Sequence, residues 1–252
     1  MNFEFEITKD PYFIKNIDEP SEEIQLSAVS SKPDTIKYIK SPTMEVMWAA
    51  LKRSVWTIEY IENPTEEMCV YCVEKAWNTL KFIKSPSELV INKALSINGW
   101  AIQYIKEPSI KHQLLAVESN WESIKYLSHP SLEVQLKVVN INPNSINFIE
   151  NPAKETKLEA LRIRPEAVKW LKYSEEEILD ALKFNLNILK FVENYDINKV
   201  LAVIKACISK DNVSKEFVKC FCDIKSLSIE KNRFIYENGS KRCKKIYIDY
   251  NL

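Results

Sequence analysis

The chain has 252 residues, of which 46% are hydrophobic, so it can bury a substantial core. Its 35 Lys and Arg residues balance 35 Asp and Glu residues, so net charge gives no indication of a nucleic-acid or membrane partner. Gly99 and Gly239 are the only glycines, which excludes the glycine-rich loops that cradle phosphates and dinucleotides.

The N-terminal segment, MNFEFEITKD, contains acidic residues and no continuous apolar stretch, so we do not expect a signal peptide. Phe3, Phe5 and Ile7 alternate with glutamates in this segment. Such alternation is typical of a strand. Residues 1–10 are therefore predicted to form a short strand or an N-terminal cap.

A 22-residue repeat begins at residue 11 and runs without a gap through residue 164. Including a shortened eighth unit and a divergent ninth unit, nine repeats reach about residue 207. Position 10 of the first seven units is proline: Pro20, Pro42, Pro64, Pro86, Pro108, Pro130 and Pro152. Position 11 is Ser or Thr in six of these units and Ala153 in the seventh, and a hydroxyl there can cap a helix.

Each unit predicts two short helices, helix A over positions 2–8 and helix B over positions 12–20. In helix A, positions 3, 4, 6 and 7 form an arc that we expect to be buried, with an aromatic residue at position 6 in eight units. Helices this short are not stable alone, so they must stack. The predicted fold is all-α, an α-solenoid of two-helix repeats over residues 11–207.

The repeat carries a recognisable signature, as in Asn98-Gly99-Trp100-Ala101-Ile102-Gln103-Tyr104-Ile105 followed by Pro130-Ser131-Leu132-Glu133-Val134-Gln135-Leu136 in the next unit. It resembles a short helical repeat of bacteriophage and bacterial proteins that is grouped as a domain of unknown function. The resemblance covers about four-fifths of the chain. It implies an α-solenoid of phage or mobile-element origin and transfers no catalytic residue.

After residue 207 the period is lost, and residues 208–252 are predicted to cap the solenoid. The segment DNVSKEFVKCFCDI predicts a helix capped by Asp211 or Ser214. The segment RFIYENGSKRCKKIYIDYNL predicts a β-hairpin that turns at Asn238-Gly239. The alternative is that this tail is the functional tip of the molecule.

Four tryptophans open units three to six, where other units begin with proline: Trp56, Trp77, Trp100 and Trp121. Their spacing predicts a row along one edge, and tryptophan is enriched in binding hot spots. One hypothesis is that they contact a partner. The alternative is that they cover the start of helix A and fill gaps between repeats.

Position 5 forms a lysine column that includes Lys37, Lys81, Lys125 and Lys169. Such a ridge beside tyrosines could follow a phosphate backbone, although a solvated face is the alternative. Helix B begins with acids such as Glu22, Glu66 and Glu133, which could instead meet a basic surface on a protein partner.

No catalytic residue, metal site or cofactor is predicted. Cys69 and Cys72 have CxxC spacing inside helix B, where core thiols are favoured over zinc ligands. His112 and His129 have no evident nucleophile or carboxylate partner, and Glu175–Glu177 are predicted to begin a helix.

We therefore expect a non-enzymatic scaffold that binds a macromolecule, foremost a protein. A lysine-, asparagine- and isoleucine-rich composition suggests a phage-encoded inhibitor of a host defence complex such as a CRISPR effector. The alternatives are a nucleic-acid-binding solenoid and a small-molecule sponge. No segment is apolar over the roughly 20 residues of a membrane span, so the expected location is the cytoplasm, or the host cytoplasm for a phage protein. The oligomeric state is left open.

Overall fold

The structure, a computed structural model, describes residues 3–251. The predicted caps over residues 1–10 and 208–252 thus include Met1, Asn2 and Leu252, which lie outside the described residues. The described range is helical and contains no strand, which confirms the all-α class. The chain divides into two compact units, Met1–Leu127 and Ser128–Leu252.

The first unit consists of short helices that pack in succession, with α-helices and 3₁₀ helices (η) alternating along the chain. In chain order they are α1 (Phe3–Lys9), η1 (Pro11–Asn16), α2 (Glu22–Ser31), η2 (Pro33–Tyr38), α3 (Met44–Arg53), η3 (Val55–Tyr60), α4 (Glu66–Lys75), η4 (Trp77–Phe82), α5 (Glu88–Ile97), η5 (Gly99–Tyr104), α6 (Ile110–Ser119) and η6 (Trp121–Tyr126).

The second unit continues the alternation and then ends in α-helices alone. In chain order they are α7 (Leu132–Ile141), η7 (Pro143–Phe148), α8 (Lys154–Ile163), η8 (Pro165–Lys169), α9 (Glu175–Leu182), η9 (Leu186–Lys190), α10 (Ile197–Ile208), α11 (Lys215–Asp223), α12 (Lys231–Asn238) and α13 (Lys241–Asn251). Consecutive packing of short helices in each unit is consistent with an α-solenoid.

Helix A is a 3₁₀ helix over positions 1–6 of the regular units, so the predicted span of positions 2–8 was wrong. With three residues per turn, positions 1, 4 and 7 share one side of a 3₁₀ helix. In the second repeat this places Ile36 and Ile39 together in the core, 1% and 7% exposed. The Ile39 amide donates to the Ile36 carbonyl at 3.0 Å, and its extended backbone ends the helix.

Side chains before or within the 3₁₀ helices other than η8 bond to backbone groups at the start of the helix. The residue just before the 3₁₀ helix accepts, through its side chain, from the amide two residues later in several repeats, and these capping residues are Asp10, Asn98, Asn120, Asn142 and Asn185. The buried hydroxyls of Thr35, Thr57 and Thr79 donate to the carbonyl three residues earlier at 2.7–2.8 Å. These bonds satisfy backbone groups that a six-residue helix leaves open.

The α-helices begin where the proline and hydroxyl pattern predicts. Thr43, Thr65, Ser87, Ser109 and Ser131 each accept from the amide three residues on, as N-caps do. Ala153 has no side chain to do so. Each helix then turns a small residue and its neighbours inward; in α3, Val46, Ala50 and Leu51 are fully buried.

The N-terminal segment is the helix α1, so the strand alternative was wrong. Ile7 is buried, and α1 packs against α2 and η1. The alternation of Phe3, Phe5 and Ile7 misled because Phe3 and Phe5 are both exposed while Ile7 alone enters the core.

The predicted β-hairpin was also wrong, since α12 and α13 occupy the segment around Asn238-Gly239. The Ser240 hydroxyl accepts from the Cys243 amide at 3.1 Å, which starts α13. Gly239 has a negative φ and ends α12 in an extended conformation, whereas the predicted hairpin turn requires positive φ. The helix prediction over α11 is confirmed, with Ser214 as its N-cap.

Candidate interaction surface

The aromatic residues at position 6 lie at the surface rather than in the predicted buried arc. Tyr38, Tyr60 and Tyr126 are 41–42% exposed, and Phe82 and Tyr104 are half-buried. Positions 3, 4 and 7 enter the core, whereas position 6 is the last residue of the 3₁₀ helix and lies at the border of the core.

These rings meet the rings at positions 1 or 2 of the preceding repeat. Four such contacts follow one another in the first unit, with ring centroids 6.2–6.4 Å apart: Tyr12–Tyr38, Trp56–Phe82, Trp77–Tyr104 and Trp100–Tyr126. Three are edge-on, and the Trp77–Tyr104 pair is stacked at 28°. We call ten rings of η1–η6, all except Phe13, the aromatic face: Tyr12, Tyr38, Trp56, Tyr60, Trp77, Phe82, Trp100, Tyr104, Trp121 and Tyr126.

Among the tryptophans predicted from the sequence, Trp56, Trp77 and Trp100 thus each contact an aromatic ring of the next repeat. Trp56 remains 42% exposed, whereas Trp77, Trp100 and Trp121 are half-buried. The buried indole N–H of Trp100 has no hydrogen-bond acceptor. These rings therefore lie between repeats and also border solvent, and the hypothesis that they contact a partner stays a prediction.

The lysines of the column lie over these rings. Lys37 Nζ is 5.1 Å from the Tyr38 ring centre and 5.7 Å from that of Tyr60 in the next repeat. Lys81 Nζ is 4.6 Å from Phe82 and 5.8 Å from Trp56. These distances are within the range of cation–π attraction.

Lys125 and Lys169 extend this pattern. Lys125 Nζ lies 5.9 Å from the ring of Trp121 on the same 3₁₀ helix. In the second unit, Lys169 Nζ lies 5.2 Å from Phe191 of the following repeat. The lysine column is thus placed with the aromatic residues rather than apart from them.

The column does not form a continuous basic ridge. Lys37 pairs with Asp34 at 3.2 Å, and Lys125 pairs with Glu122 at 2.9 Å. In the third repeat, Glu59 and Glu62 occupy the positions that carry lysine elsewhere. The surface beside the aromatic face therefore has mixed charge.

One polar cluster sits at the edge of this face. The Tyr12 hydroxyl donates to Asp34 Oδ1 at 2.9 Å. This bond raises the pKa of Tyr12. Burial alone would raise the pKa of Asp34, but the hydrogen bonds from Tyr12 and Lys37 outweigh it and lower that pKa.

The acids at the start of the α-helices are used between repeats. The hydroxyls of Thr43 and Ser87, the N-caps of the following helices, donate to Glu22 and Glu66. His112 also has a carboxylate partner, contrary to the sequence interpretation: its Nε2 lies 3.0 Å from Glu88 Oε2 of the preceding repeat. The two residues are 24 positions apart, and sequence spacing alone does not predict a contact between side chains of different repeats.

The remaining candidate residues, among them Cys69, Cys72 and Glu175, have positions typical of structural residues. Cys69 and Cys72 are buried in α4, and desolvation raises the pKa of Cys72 to about 12. Glu175 begins α9, as predicted, with Ser174 and Glu177 forming a capping box. No group of three His, Cys, Asp or Glu side chains within residues 3–251 is arranged to hold a metal ion.

A cavity in the second unit offers a place for a small molecule. It has a volume of about 850 Å³ and lies where the eighth and ninth repeats lose the proline pattern. Tyr173, Leu179 and Val192 are among its apolar walls, and Glu175 and Glu193 among its polar ones. The Tyr173 hydroxyl is buried without a partner, and desolvation raises the pKa of that phenol.

Position 6 was predicted to be buried, although the residue types found there indicate the border of a core. Tyrosine is the commonest residue there, whereas positions 4 and 7 are Ile or Leu in the same units. A phenol that keeps its hydroxyl in water favours the boundary of a core over its centre.

No protein-family model matches the chain, and neither a curated protein nor a solved structure does. The resemblance to the phage and bacterial helical repeat therefore stays a prediction. Across residues 3–251, every helix is too short or too polar to cross a membrane.

Proposed function

We propose that this chain is a non-enzymatic α-solenoid scaffold that binds a protein partner through the aromatic face. The observation that carries the proposal is the succession of ring contacts across η1–η6, in which four Tyr and Trp side chains are more than 40% exposed, namely Tyr38, Trp56, Tyr60 and Tyr126. Tyr and Trp are the residues that most often dominate protein interfaces.

The arrangement is suited to binding without large reorganisation. Each ring pair joins two repeats, and lysine side chains lie against several rings. Side chains that are already ordered lose less conformational entropy when a partner covers them. The face would therefore act as a preformed surface.

Mixed charge favours a protein over a nucleic acid. A strand of nucleic acid needs cations free to replace its counterions. Here Lys37 and Lys125 are neutralised by Asp34 and Glu122, and Glu59 interrupts the column. A mobility-shift assay with single-stranded and double-stranded oligonucleotides at low salt is expected to show no complex.

Affinity capture with matched variants tests the proposal. The tagged chain is incubated with lysate of the organism that encodes it, or of the host for a phage-encoded chain. Trp56→Ala combined with Tyr60→Ala removes exposed rings, and Met44→Ala removes a side chain that is 50% exposed on α3, outside the 3₁₀ helices that carry the face. Mass spectrometry should find a stoichiometric protein with the wild type and Met44→Ala, and not with the double variant.

Two results would contradict the proposal. One is the recovery of no stoichiometric protein at any of several salt concentrations. The other is equal recovery by the wild type and the double variant, with both shown by circular dichroism to be folded.

A narrower proposal concerns the identity of the partner. A phage origin, indicated by composition and by the resemblance of the repeat, would make a host defence complex such as a CRISPR effector the target. Interference assays in cells with and without the expressed chain test this version. Undiminished defence against phage would remove it and leave the general binding proposal standing.

A further inference from the structure

An apolar groove lies between α12 and α13 in the second unit. Ile235 and Tyr236 of α12 and Lys244, Tyr247 and Ile248 of α13 form its walls, and its volume is about 480 Å³. We call it the α12–α13 groove. Tyr236 is 77% exposed and Ile248 is 55% exposed. Adjacent large apolar side chains left in water mark an interaction site more often than isolated ones do.

The helices that form the groove are anchored on their other sides. Cys243 and Ile246 of α13 are buried, and α13 packs against α11. The Tyr250 hydroxyl donates to Asp223 Oδ1 at 2.9 Å, and Arg242 Nε donates to the Val213 carbonyl at 3.0 Å. The groove is therefore formed before any partner arrives.

Its border is basic. Lys241, Lys244 and Lys245 precede Ile248 by seven, four and three residues, so all four lie on one side of α13. Lys244 Nζ is 5.2 Å from the centre of the Tyr236 ring.

Two acidic residues, Glu237 and Asp249, lie near the groove, but its border keeps a net positive charge. Arg233, on the α12 side, is paired with Glu237 at 2.7 Å, so that pair is neutral. Asp249 is exposed beside Ile248 and offsets one of the three lysines.

We propose that the α12–α13 groove binds an acidic amphipathic helix of a protein partner. Apolar side chains of that helix, spaced three or four residues apart, would enter between Tyr236 and Ile248. Its carboxylates would lie over the three lysines. This site is separate from the aromatic face and does not depend on the function proposed for it.

Charge and shape select this occupant over others. A second copy of the chain, docked symmetrically, would bring its lysines against those of the first copy. A bilayer presents a flat surface, which leaves the interior of a groove unfilled. An acidic helix satisfies both the apolar walls and the basic border.

The test uses a fluorescein-labelled peptide of about 15 residues, long enough to form a helix on binding. It carries leucines at positions i, i+3, i+4 and i+7 and glutamates elsewhere, and a second peptide has lysine in place of each glutamate. Fluorescence anisotropy with the full chain should show saturable binding of the glutamate peptide. The lysine peptide should bind about tenfold more weakly, a difference of about 1.4 kcal/mol.

Variants locate the binding. Tyr236→Ala and Ile248→Ala should each weaken the glutamate peptide about tenfold, the scale of an interface hot spot. Lys244→Glu should weaken the glutamate peptide and strengthen the lysine peptide. Phe184→Ala removes a side chain that is 62% exposed elsewhere in the second unit and should change nothing.

Several outcomes would overturn the proposal. They are the absence of saturable binding, equal affinity for both peptides, and variants that bind as well as the wild type. Tighter binding to phosphatidylserine vesicles or to a single-stranded oligonucleotide, lost in Tyr236→Ala, would assign the groove to another class of ligand. A concentration-dependent dimer lost in the same variant would assign it to a second copy. Unaltered capture by the aromatic face would show that only this proposal had failed.

Discussion

Residues 11–126 and residues 165–251 use the same kind of short helix but differ in how regularly they repeat. In the first region, each 3₁₀ helix spans six residues, and aromatic residues recur at its end. In the second region, η8 and η9 have five residues, and the last three helices follow without a 3₁₀ helix between them. In the regular first region, the aromatic rings follow one another along one surface. In the less regular second region, the helices leave a cavity and a groove.

This difference indicates which residue positions of a repeat protein can contribute to binding. In a strict repeat the core positions are needed for packing. Side chains that can contact a partner therefore lie at positions 1, 2, 5 and 6, which border solvent. Where the period fails, the linkers between helices are free to change, as in the cavity beside Tyr173 and Val192.

The two glycines should differ in their tolerance of a methyl group. A Cβ at Gly99 would lie 2.0 Å from the Ala116 carbonyl oxygen, so the backbone of η5 or α6 within the fifth repeat must move. We expect Gly99→Ala to lower the free energy of unfolding by about 3 kcal/mol, the upper range for overpacking. Urea denaturation followed by circular dichroism measures it.

Gly239→Ala is the matched comparison in the irregular region. A Cβ there would lie 2.7 Å from the Ile235 carbonyl oxygen and close to Cys243, so a smaller shift relieves it. We expect a loss of about 1 kcal/mol. A larger loss at Gly239 than at Gly99 would show that the regular region is not the more tightly packed one.

The ring contacts between repeats should couple energetically. A double-mutant cycle of Trp77→Ala and Tyr104→Ala is expected to give a coupling energy of about 1 kcal/mol, typical of a stacked aromatic pair. A cycle of Trp77→Ala with Met44→Ala serves as the control, with coupling near zero. Equal coupling in both cycles would mean that the Trp77–Tyr104 stacking in the structure contributes nothing to stability.

The repeat pattern also predicts a gain. Ala153 occupies the position where other units have a capping hydroxyl, and its helix α8 lacks a side-chain cap. Ala153→Ser should raise the free energy of unfolding by about 0.5 to 1 kcal/mol, while Ser131→Ala should lower it by a similar amount. Thermal denaturation of both variants checks the pair, and a loss in Ala153→Ser would reject the capping account.

The smallest effect concerns pH in the irregular region. Burial raises the pKa of Glu177, but the Ser174 amide and Lys157 outweigh it and lower that pKa from 4.5. A lowered carboxyl pKa adds stability above pH 4.5 that is lost as pH falls through the folded-state value. Glu177→Gln should therefore flatten the stability profile below that pH, and the exposed Glu193→Gln should not.

Urea denaturation at intervals between pH 3 and 7 measures this slope. Identical slopes in the wild type and in Glu177→Gln would contradict the account.

The sequence could predict the α-helices of the repeat because proline at position 10 and a hydroxyl at position 11 act locally. It could not predict that helix A is 3₁₀, since a six-residue segment such as Pro33–Tyr38 fits both periods until its core neighbours are known. Helix A also ends at position 6, and Tyr38 lies at the surface instead of in the predicted buried arc. The α12–α13 groove was missed because alternating residues around Gly239 read as strands, and only packing against α11 favours a helix.

Hydroxyl-radical footprinting of the captured complex tests whether the aromatic face contacts the partner. Mass spectrometry would compare oxidation of each residue in the free and bound chain. The account predicts that Tyr38, Trp56 and Tyr60 are oxidised when free and protected when the partner is bound, while the exposed Met44 is unchanged. A stoichiometric complex in which those three residues remain as reactive as in the free chain would contradict it.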